Sequence, residues 1–222
     1  LIKCLHISNS DINGGAQIAS YRIHKSLKEI NLDSKIWVRN KFSNDEDVIC
    51  SNTLLSKKIY NFKVKLASIL KRLQKSQMQT FHSNNILPSN LSNYFNKLNL
   101  DIINLHWIGQ ETISIKDISK INLPKIFTLH DMWGFCGAEH YVEENINHQW
   151  KYGYIKNKFE FNNFYDLNYH AWKLKKKYWQ PMDIICPSKW LYNLAKQSNI
   201  MGEWDVHHVP YPIDLEVLKK II

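Results

Sequence analysis

The feature that most constrains the fold is an alternation, along the whole chain, of short apolar runs with amphipathic segments. An apolar run at residues 2–8 is followed by a polar loop, a segment of helical periodicity at 16–30 and a second apolar run at 34–38. Two strands joined through a helix pair in parallel by a right-handed crossover. Further apolar runs continue the pattern at residues 101–105, 125–129, 183–186 and 206–209. We therefore predict an α/β fold: a Rossmann-like open, mainly parallel sheet with helices on both faces.

The length of the chain and a proline-containing break near its end predict the domain organisation. The chain has 222 residues, of which 44% are hydrophobic, enough for one large domain with its own core. Pro210 and Pro212 interrupt the pattern directly after the last predicted strand. We expect residues 1–210 to form one Rossmann-like domain. Residues 211–222 are expected to begin a linker towards a second domain that this chain does not contain.

The cellular location is predicted from what the sequence lacks. No apolar leader precedes the first predicted strand, and no run of about 18 apolar residues is present that would cross a membrane. The four cysteines are widely separated, which favours reduced thiols over a disulfide framework or a thiolate metal site. We therefore expect a cytoplasmic protein.

The positive charge of the chain is concentrated in one quarter of it. The formal net charge is +9, and residues 48–100 contain no Asp or Glu at all. The basic residues of that stretch are Lys57, Lys58, Lys63, Lys65, Lys71, Arg72, Lys75 and Lys97. A local field of this kind favours polyanionic partners such as anionic lipid surfaces, nucleic acid or phosphorylated substrates.

A long helix predicted at residues 53–77 carries most of this charge together with an apolar stripe. The stripe recurs at helical spacing and consists of Leu55, Ile59, Phe62, Leu66, Ile69, Leu70 and Leu73. In one interpretation the stripe faces the core and the lysines form a solvated outer face. In the other, the helix lies on an anionic membrane surface, which would make the protein peripheral on the inner face of the plasma membrane.

A second basic run, at residues 172–179, mixes lysines with aromatic side chains. We interpret it as a solvated helix face, because no recognised nucleic-acid-binding module accompanies it. We expect no nucleic-acid partner.

Candidate functional residues follow the predicted strands at the edge where ligands bind in open parallel sheets. Gly14 and Gly15 precede a predicted helix, and glycines at that point let a phosphate approach the free N–H groups of the helix N-terminus. The pair does not match G-x-G-x-x-G, so a dinucleotide cofactor is not predicted. His106 and Trp107 follow the strand at residues 101–105.

His130 and Asp131 follow the next strand, and two interpretations of them remain open. A histidine there can donate to a sugar hydroxyl or hold a proton, and the neighbouring carboxylate can orient it. Alternatively, the histidine only caps the loop backbone. A metal site built from His106, His130, Asp131 and His140 is not expected, because no H-x-H or H-x-x-x-H spacing is present. We predict neither a metal nor a cofactor.

Six short motifs occur in an order that is familiar from one enzyme family. The segment TLHDMWGFCGAEHY, residues 128–141, is the most specific of them. The others are GGAQIASYRIHKSL from Gly14, NLHW from Asn104, W-x-x-G from Trp150, P-S-x-W-L from Pro187 and PYPID from Pro210. With these motifs the chain resembles the N-terminal domain of family 4 glycosyltransferases. These are retaining enzymes with two Rossmann-like domains (the GT-B fold), and the most similar branch builds bacterial cell-surface polysaccharide.

The resemblance implies roles for the candidate residues. Gly14 and Gly15 would approach the diphosphate of a nucleotide-sugar donor. His130 would contact the donor sugar near the reacting centre, with Asp131 as the second candidate catalytic residue, and His106 and Trp107 would line the acceptor side.

The resemblance also implies an activity, with two departures from the family pattern. The enzyme would transfer a sugar from the donor to a glycan or lipid-linked acceptor with retention. The loop after Tyr141 lacks the cysteines usual in this branch, and the family's E-x-x-x-x-x-x-x-E motif belongs to the second domain. This chain alone is therefore expected to be inactive.

Two alternatives stand beside the glycosyltransferase. The chain could be a non-enzymatic Rossmann-like module whose basic helix docks on anionic membrane or nucleic acid. A weaker alternative is a metal-dependent hydrolase that uses the His and Asp residues listed above.

Overall fold

The fold is a seven-stranded, all-parallel sheet flanked by helices, as the alternation of patterns predicted. The computed structural model describes residues 1–50, 53–73, 81–143, 148–155 and 166–213. The strands are β1 Lys3–Ser10, β2 Asp33–Asn40, β3 Val48–Cys50, β4 Ile102–Leu105, β5 Lys125–Thr128, β6 Asp183–Cys186 and β7 Val206–His208. The helices are α1 Gly15–Glu29, α2 Leu54–Leu73, α3 Ser92–Phe95, α4 Ile115–Ser119, α5 Gln149–Tyr152, α6 Leu167–Tyr178 and α7 Lys189–Gln197.

Strand β1 lies at the centre of the sheet and is covered on both faces. Every residue from Cys4 to Ser10 is buried, although successive side chains point to opposite sides. Ile7 pairs with Trp37 of β2 on one side and with Leu105 of β4 on the other. The strand order is β3-β2-β1-β4-β5-β6-β7. The chain therefore winds outward in both directions from β1, and the switch point lies between β1 and β4.

The described structure matches the predicted elements closely and adds three short ones. All six predicted strands are present. Strand β3 and helices α3 and α5 were not predicted, because three or four residues are too few to show a period. Helix α5 lies between β5 and α6. Strand β7 ends at His208, and residues 214–222 of the predicted linker lie outside the described residues.

Helix α6 corrects the interpretation of the second basic run as wholly solvated. Lys175 is fully buried, because it follows Leu167 and Ala171 at intervals of four residues on the inner face of the helix. Its Nζ donates to three backbone carbonyls, those of Trp133, Cys136 (3.2 Å) and Gly137 (2.8 Å). A single lysine thereby fixes the loop that follows β5.

Helix α2 is attached to the sheet by one face and exposes its apolar stripe. Tyr60 is its buried anchor: the phenol accepts from Asn9 Nδ2 (2.9 Å) and donates to the carbonyl of Gln110 (3.1 Å). In contrast, Leu55 is 68% exposed and Phe62 66%. The interpretation in which the whole stripe faces the core is therefore wrong. None of the described helices combines the length and apolarity that a bilayer crossing requires.

Candidate functional site

An open cleft lies at the carboxyl edge of the sheet, beside the switch point between β1 and β4. It has a volume of about 580 Å3. The loops after β1, β2, β4 and β5 form it, as expected where parallel strands end at a switch point. Its lining residues are Asn9, Ser10, Asn13, Gly14, Gly15, Ala16, Gln17, Asn40, Phe42, Phe81, Trp107, Gln110, Asp131 and His140.

One side of the cleft is the glycine turn that leads into α1. Gly14 has φ 117° and ψ 158°, a conformation that side-chain-bearing residues rarely adopt, and a Cβ there would collide with Gln17 Oε1. A Cβ on Gly15 would meet no heavy atom within 4 Å. No side chain caps the helix and its first turn contains no acidic residue. The first backbone N–H groups of α1 are therefore left without a capping side chain, at the positive end of the helix dipole and beside the open space at Gly15.

The opposite side of the cleft is a hydrogen-bonded wall centred on Asp131. Asp131 Oδ2 accepts from Trp107 Nε1 (3.0 Å) and pairs with His140 Nδ1 (2.6 Å), while Oδ1 accepts from the backbone N–H of Trp133 (2.9 Å). The second ring nitrogen of His140 bonds with Ser83 Oγ at 2.7 Å. Each side chain of the wall is thus held by a partner, which keeps the carboxylate, 26% exposed, in one orientation.

Behind the wall, three histidines form a continuous hydrogen-bonded chain. His6 Nδ1 bonds with His106 Nε2 at 2.8 Å, and His106 Nδ1 bonds with His130 Nε2 at 3.0 Å. At the outer end, Tyr211 stacks on His130 with an interplanar angle of 18°, and its hydroxyl lies 2.5 Å from His130 Nδ1. At the inner end, His6 Nε2 lies 3.7 Å from Cys4 Sγ. The chain runs from the core of β1 to the segment after β7.

Burial keeps these imidazoles neutral at physiological pH. It lowers the pKa of His130 to about 4 and that of His6 to about 3, where the neighbouring His24 adds to the effect. The pKa of His106 is also lowered well below its usual range by burial and by its two histidine neighbours. The charged form is disfavoured because the surrounding protein solvates it poorly. None of the three can therefore serve as a proton donor of ordinary acidity near pH 7.

The structure divides the predicted site residues into two groups. Gly14, Gly15, Trp107 and Asp131 line the cleft. His106, which is 1% exposed, and His130 are not among the lining residues. Both ring nitrogens of each histidine are in hydrogen bonds, so the two side chains support the wall and do not line the open cleft.

Three residues of the arrangement were missed by sequence reasoning: His6, Phe81 and Ser83. His6 lies inside an apolar strand, and the other two lie in a segment without a recognisable pattern. The alternation of side chains along β1, which places His6 and Ser8 on the same face, was the one available signal for His6.

The described residues contain one group whose ligand atoms lie close enough to share a metal ion, and it is not in the cleft. His24, Asp45 and Asp47 form this group. Both carboxylates are already ion-paired, Asp45 with Lys25 at 2.6 Å and Asp47 with Lys28. The metal-dependent alternative would need His106, His130, Asp131 and His140 together. These side chains instead form hydrogen bonds with one another and with Tyr211, Trp107 and Ser83, which use the atoms that would bind a metal.

Comparison with known proteins does not assign the chain to a family. No protein-family model matches the sequence, and no curated protein matches it.

Proposed function

We propose that this chain is the acceptor-side domain of a retaining glycosyltransferase. The enzyme would move a sugar from a nucleotide-sugar donor to a glycan or lipid-linked acceptor in bacterial surface-polysaccharide synthesis. One observation carries the proposal: an open glycine turn at a helix N-terminus faces a hydrogen-bonded Trp–Asp–His wall across one cleft. The first feature suits a phosphate, and the second suits a polyhydroxylated ligand. The ordered motifs quoted above support the same assignment.

The cleft residues take distinct roles in this proposal. The N–H groups after Gly14 receive the donor diphosphate, and the open space at Gly15 allows its close approach. Asp131 has lone pairs left after its three bonds and accepts from a sugar hydroxyl. His130 lies behind the wall, hydrogen-bonded to His106 and Tyr211, and it stays neutral because burial lowers its pKa to about 4. We assign it no proton transfer.

The chemistry required of the domain is then positioning and stabilisation of the leaving group. The bond between the anomeric carbon and the diphosphate breaks, and the acceptor oxygen bonds to that carbon on the same face of the sugar. The acceptor proton passes to the departing diphosphate. Negative charge develops on the diphosphate, where the helix terminus stabilises it. A second domain would supply the remaining donor contacts and close the cleft around the reacting groups.

The test is a transfer assay with the full-length gene product and a panel of nucleotide sugars. We expect release of nucleoside diphosphate that depends on an added acceptor. Asp131→Asn should lower the rate at least about tenfold, since the wall loses its charged acceptor. Asp183→Asn is the matched control, because Asp183 is an exposed carboxylate at the opposite edge of the sheet. No turnover with any donor, or equal loss in both variants, would refute the proposal.

We further propose that α2 docks on an anionic membrane surface. Leu55, Ile59, Phe62 and Ile69 lie along one face of the helix, are 46–68% exposed and are spaced by four, three and seven residues. Lys58, Lys65 and Arg72 recur every seven residues along one side of this stripe. The stretch contains no acidic residue. Helices that lie in a membrane interface show this pattern of an exposed apolar stripe beside a row of cations.

Sedimentation with phosphatidylglycerol vesicles tests this docking. Burying a Leu or Phe side chain contributes about 1.5–3 kcal/mol, so Leu55→Ser or Phe62→Ser should each weaken binding about tenfold or more. Ile30→Ser is the matched control, because Ile30 is 67% exposed and lies outside α2. Equal loss in the control would contradict the docking, as would a preference for oligonucleotides over vesicles.

A further inference from the structure

A second cavity adjoins the cleft and is lined by cations without a carboxylate. We call it the basic cavity. Its volume is about 550 Å3, and the end of β2, the β2–β3 loop and the first turns of α2 form it. Its charged lining residues are Arg39, Lys41 and Lys57. It shares Asn40 and Phe42 with the cleft, so the two spaces are neighbours.

Arg39 is held rigidly in the wall of the basic cavity. Its Nε donates to the carbonyl of Thr112 at 3.0 Å. Its guanidinium lies between the rings of Trp37 and Tyr60, 5.1 Å from one centroid and 5.0 Å from the other. The bond to Thr112 uses one of five N–H donors, and the remaining fork matches the geometry of phosphate oxygens.

Arg39 also lacks a counter-ion within the described part of the chain. None of the ion pairs formed there includes it. The nearby carboxylates are used elsewhere: Asp11 accepts from the backbone N–H groups of Phe42 and Ser43, and Asp45 pairs with Lys25. A partly buried cation without a counter-ion carries a desolvation cost that an anionic ligand would offset.

The other two cations strengthen the field of the cavity. Lys41 Nζ donates to the carbonyls of Asp45 (2.5 Å) and Val48 (2.9 Å), which fixes the loop and leaves the lysine charge unneutralised. Lys57 is exposed at the mouth, on the first turns of α2. The cavity therefore combines one rigid bidentate donor with two further positive charges, in a volume typical of small-ligand sites.

We infer that the basic cavity binds a diphosphate group, and that this group belongs to an isoprenoid-type lipid carrier of the acceptor glycan. The inference of a diphosphate site follows from the residues that line the cavity. The assignment of the diphosphate to the acceptor rests on the proposed glycosyltransferase function. The position fits this assignment, because the basic cavity adjoins the cleft through Asn40 and Phe42, so a diphosphate bound by Arg39 would hold the sugar attached to it beside the cleft. Lys57 and Asn61 line the cavity from the face of α2 opposite its apolar stripe, so the lipid would pass the N-terminal end of the helix to reach that stripe.

Isothermal titration calorimetry of this chain with inorganic pyrophosphate tests the anion site directly. We expect saturable binding with a component that Arg39→Gln weakens at least tenfold and Lys57→Gln about threefold, and that Gly15→Ala at the glycine turn leaves unchanged. Lys97→Gln is the control: it makes the same change of charge at an exposed position outside the cavity. Lys57 and Lys97 are both exposed, so these two variants remain informative if Arg39→Gln fails to fold. Absence of saturable binding, or equal weakening by Lys57→Gln and Lys97→Gln, would overturn the site.

A second arm identifies the source of the diphosphate. At the site that Arg39→Gln weakens, farnesyl diphosphate should bind at least tenfold more tightly than inorganic pyrophosphate or uridine diphosphate, because its chain reaches apolar surface. Tighter binding of uridine diphosphate that is lost in Arg39→Gln and kept in Gly15→Ala would assign the cavity to a nucleotide and overturn the acceptor assignment. These titrations need no sugar transfer. Pyrophosphate binding with an inactive full-length protein would therefore refute the glycosyltransferase and leave the anion site standing.

Discussion

Gly14 and Gly15 are glycines for different reasons, which separate replacement by alanine distinguishes. Gly14→Ala tests backbone strain at a positive φ, and Gly15→Ala tests the need for free space beside the turn. Gly14 has φ 117° and ψ 158°, and its added methyl would collide with Gln17. A side-chain-bearing residue held in such a conformation costs about 1–3 kcal/mol. Gly15 begins α1 with open space at its Cβ position, so alanine there should stabilise the chain by about 0.5 kcal/mol. The two variants should differ in free energy of unfolding by about 1.5–3.5 kcal/mol.

Urea denaturation followed by circular dichroism measures this difference, and thermal melting checks it. At about 2–4 °C per kcal/mol for a domain of this size, the melting temperatures should differ by roughly 3–14 °C. Gly15→Ala places its methyl group in the cleft, so it should weaken the binding of uridine diphosphate about tenfold with no loss of stability. Equal stability of the two variants would refute the strain at Gly14. Unchanged binding by Gly15→Ala would refute the phosphate role of the turn.

Three further predictions concern the buried ionisable groups. The pKa of His130 is lowered by burial to about 4, so an NMR titration of its imidazole should show a midpoint near 4. Because the unfolded chain binds this proton below about pH 6.5, stability should fall as pH drops from 6.5 to 4; a midpoint above 6 would contradict the burial argument. The contribution of Glu139 to stability depends on pH in the opposite direction. Burial raises its pKa to about 7, so stability is lost as pH rises from 4.5 to 7. Glu139→Gln should therefore gain up to about 3 kcal/mol relative to the wild type between pH 4.5 and 7.5, and parallel pH profiles would exclude this. Tyr211→Phe removes the hydroxyl partner of His130 Nδ1 and should cost about 1 kcal/mol with a change in the imidazole nitrogen shifts, whereas unchanged shifts would exclude the contact.

The fold could be predicted from the sequence because each long element shows its own period. The helix predicted at residues 16–30 is α1 Gly15–Glu29, and the strand predicted at 2–8 is β1 Lys3–Ser10. Strand β3 could not be predicted in this way. Its three residues, Val48–Cys50, are extended because they pair with Ile36, Trp37 and Val38 of β2, and a pairing partner leaves no mark on a local pattern.

The candidate site was predictable only in part, because position along the chain does not determine which way a side chain points. The edge of the sheet could be predicted from the strand ends, and it correctly placed Asp131 and Gly14 beside one cleft. The buried position of His106 depends on His6, 100 residues away, and no spacing connects the two. Lys175 appeared solvated among neighbouring lysines because its three carbonyl partners come from a different loop. The exposure of the α2 stripe likewise depends on Tyr60, whose contacts with Asn9 and Gln110 determine which face of the helix is turned inward.

The hydrogen bonds that join the imidazoles from β1 to Tyr211 share one donor-to-acceptor direction. A neutral imidazole carries a single N–H, so each of the three rings donates on one side and accepts on the other. The bonds therefore all point from Tyr211 towards Cys4, or all point the other way. A ligand that captures the Tyr211 hydroxyl proton selects one direction, and with it the tautomer of His6 in the middle of the sheet. Whether the Tyr211 hydroxyl donates to His130 or accepts from it therefore determines which ring nitrogen of His6 carries the hydrogen, and two states of the core are possible.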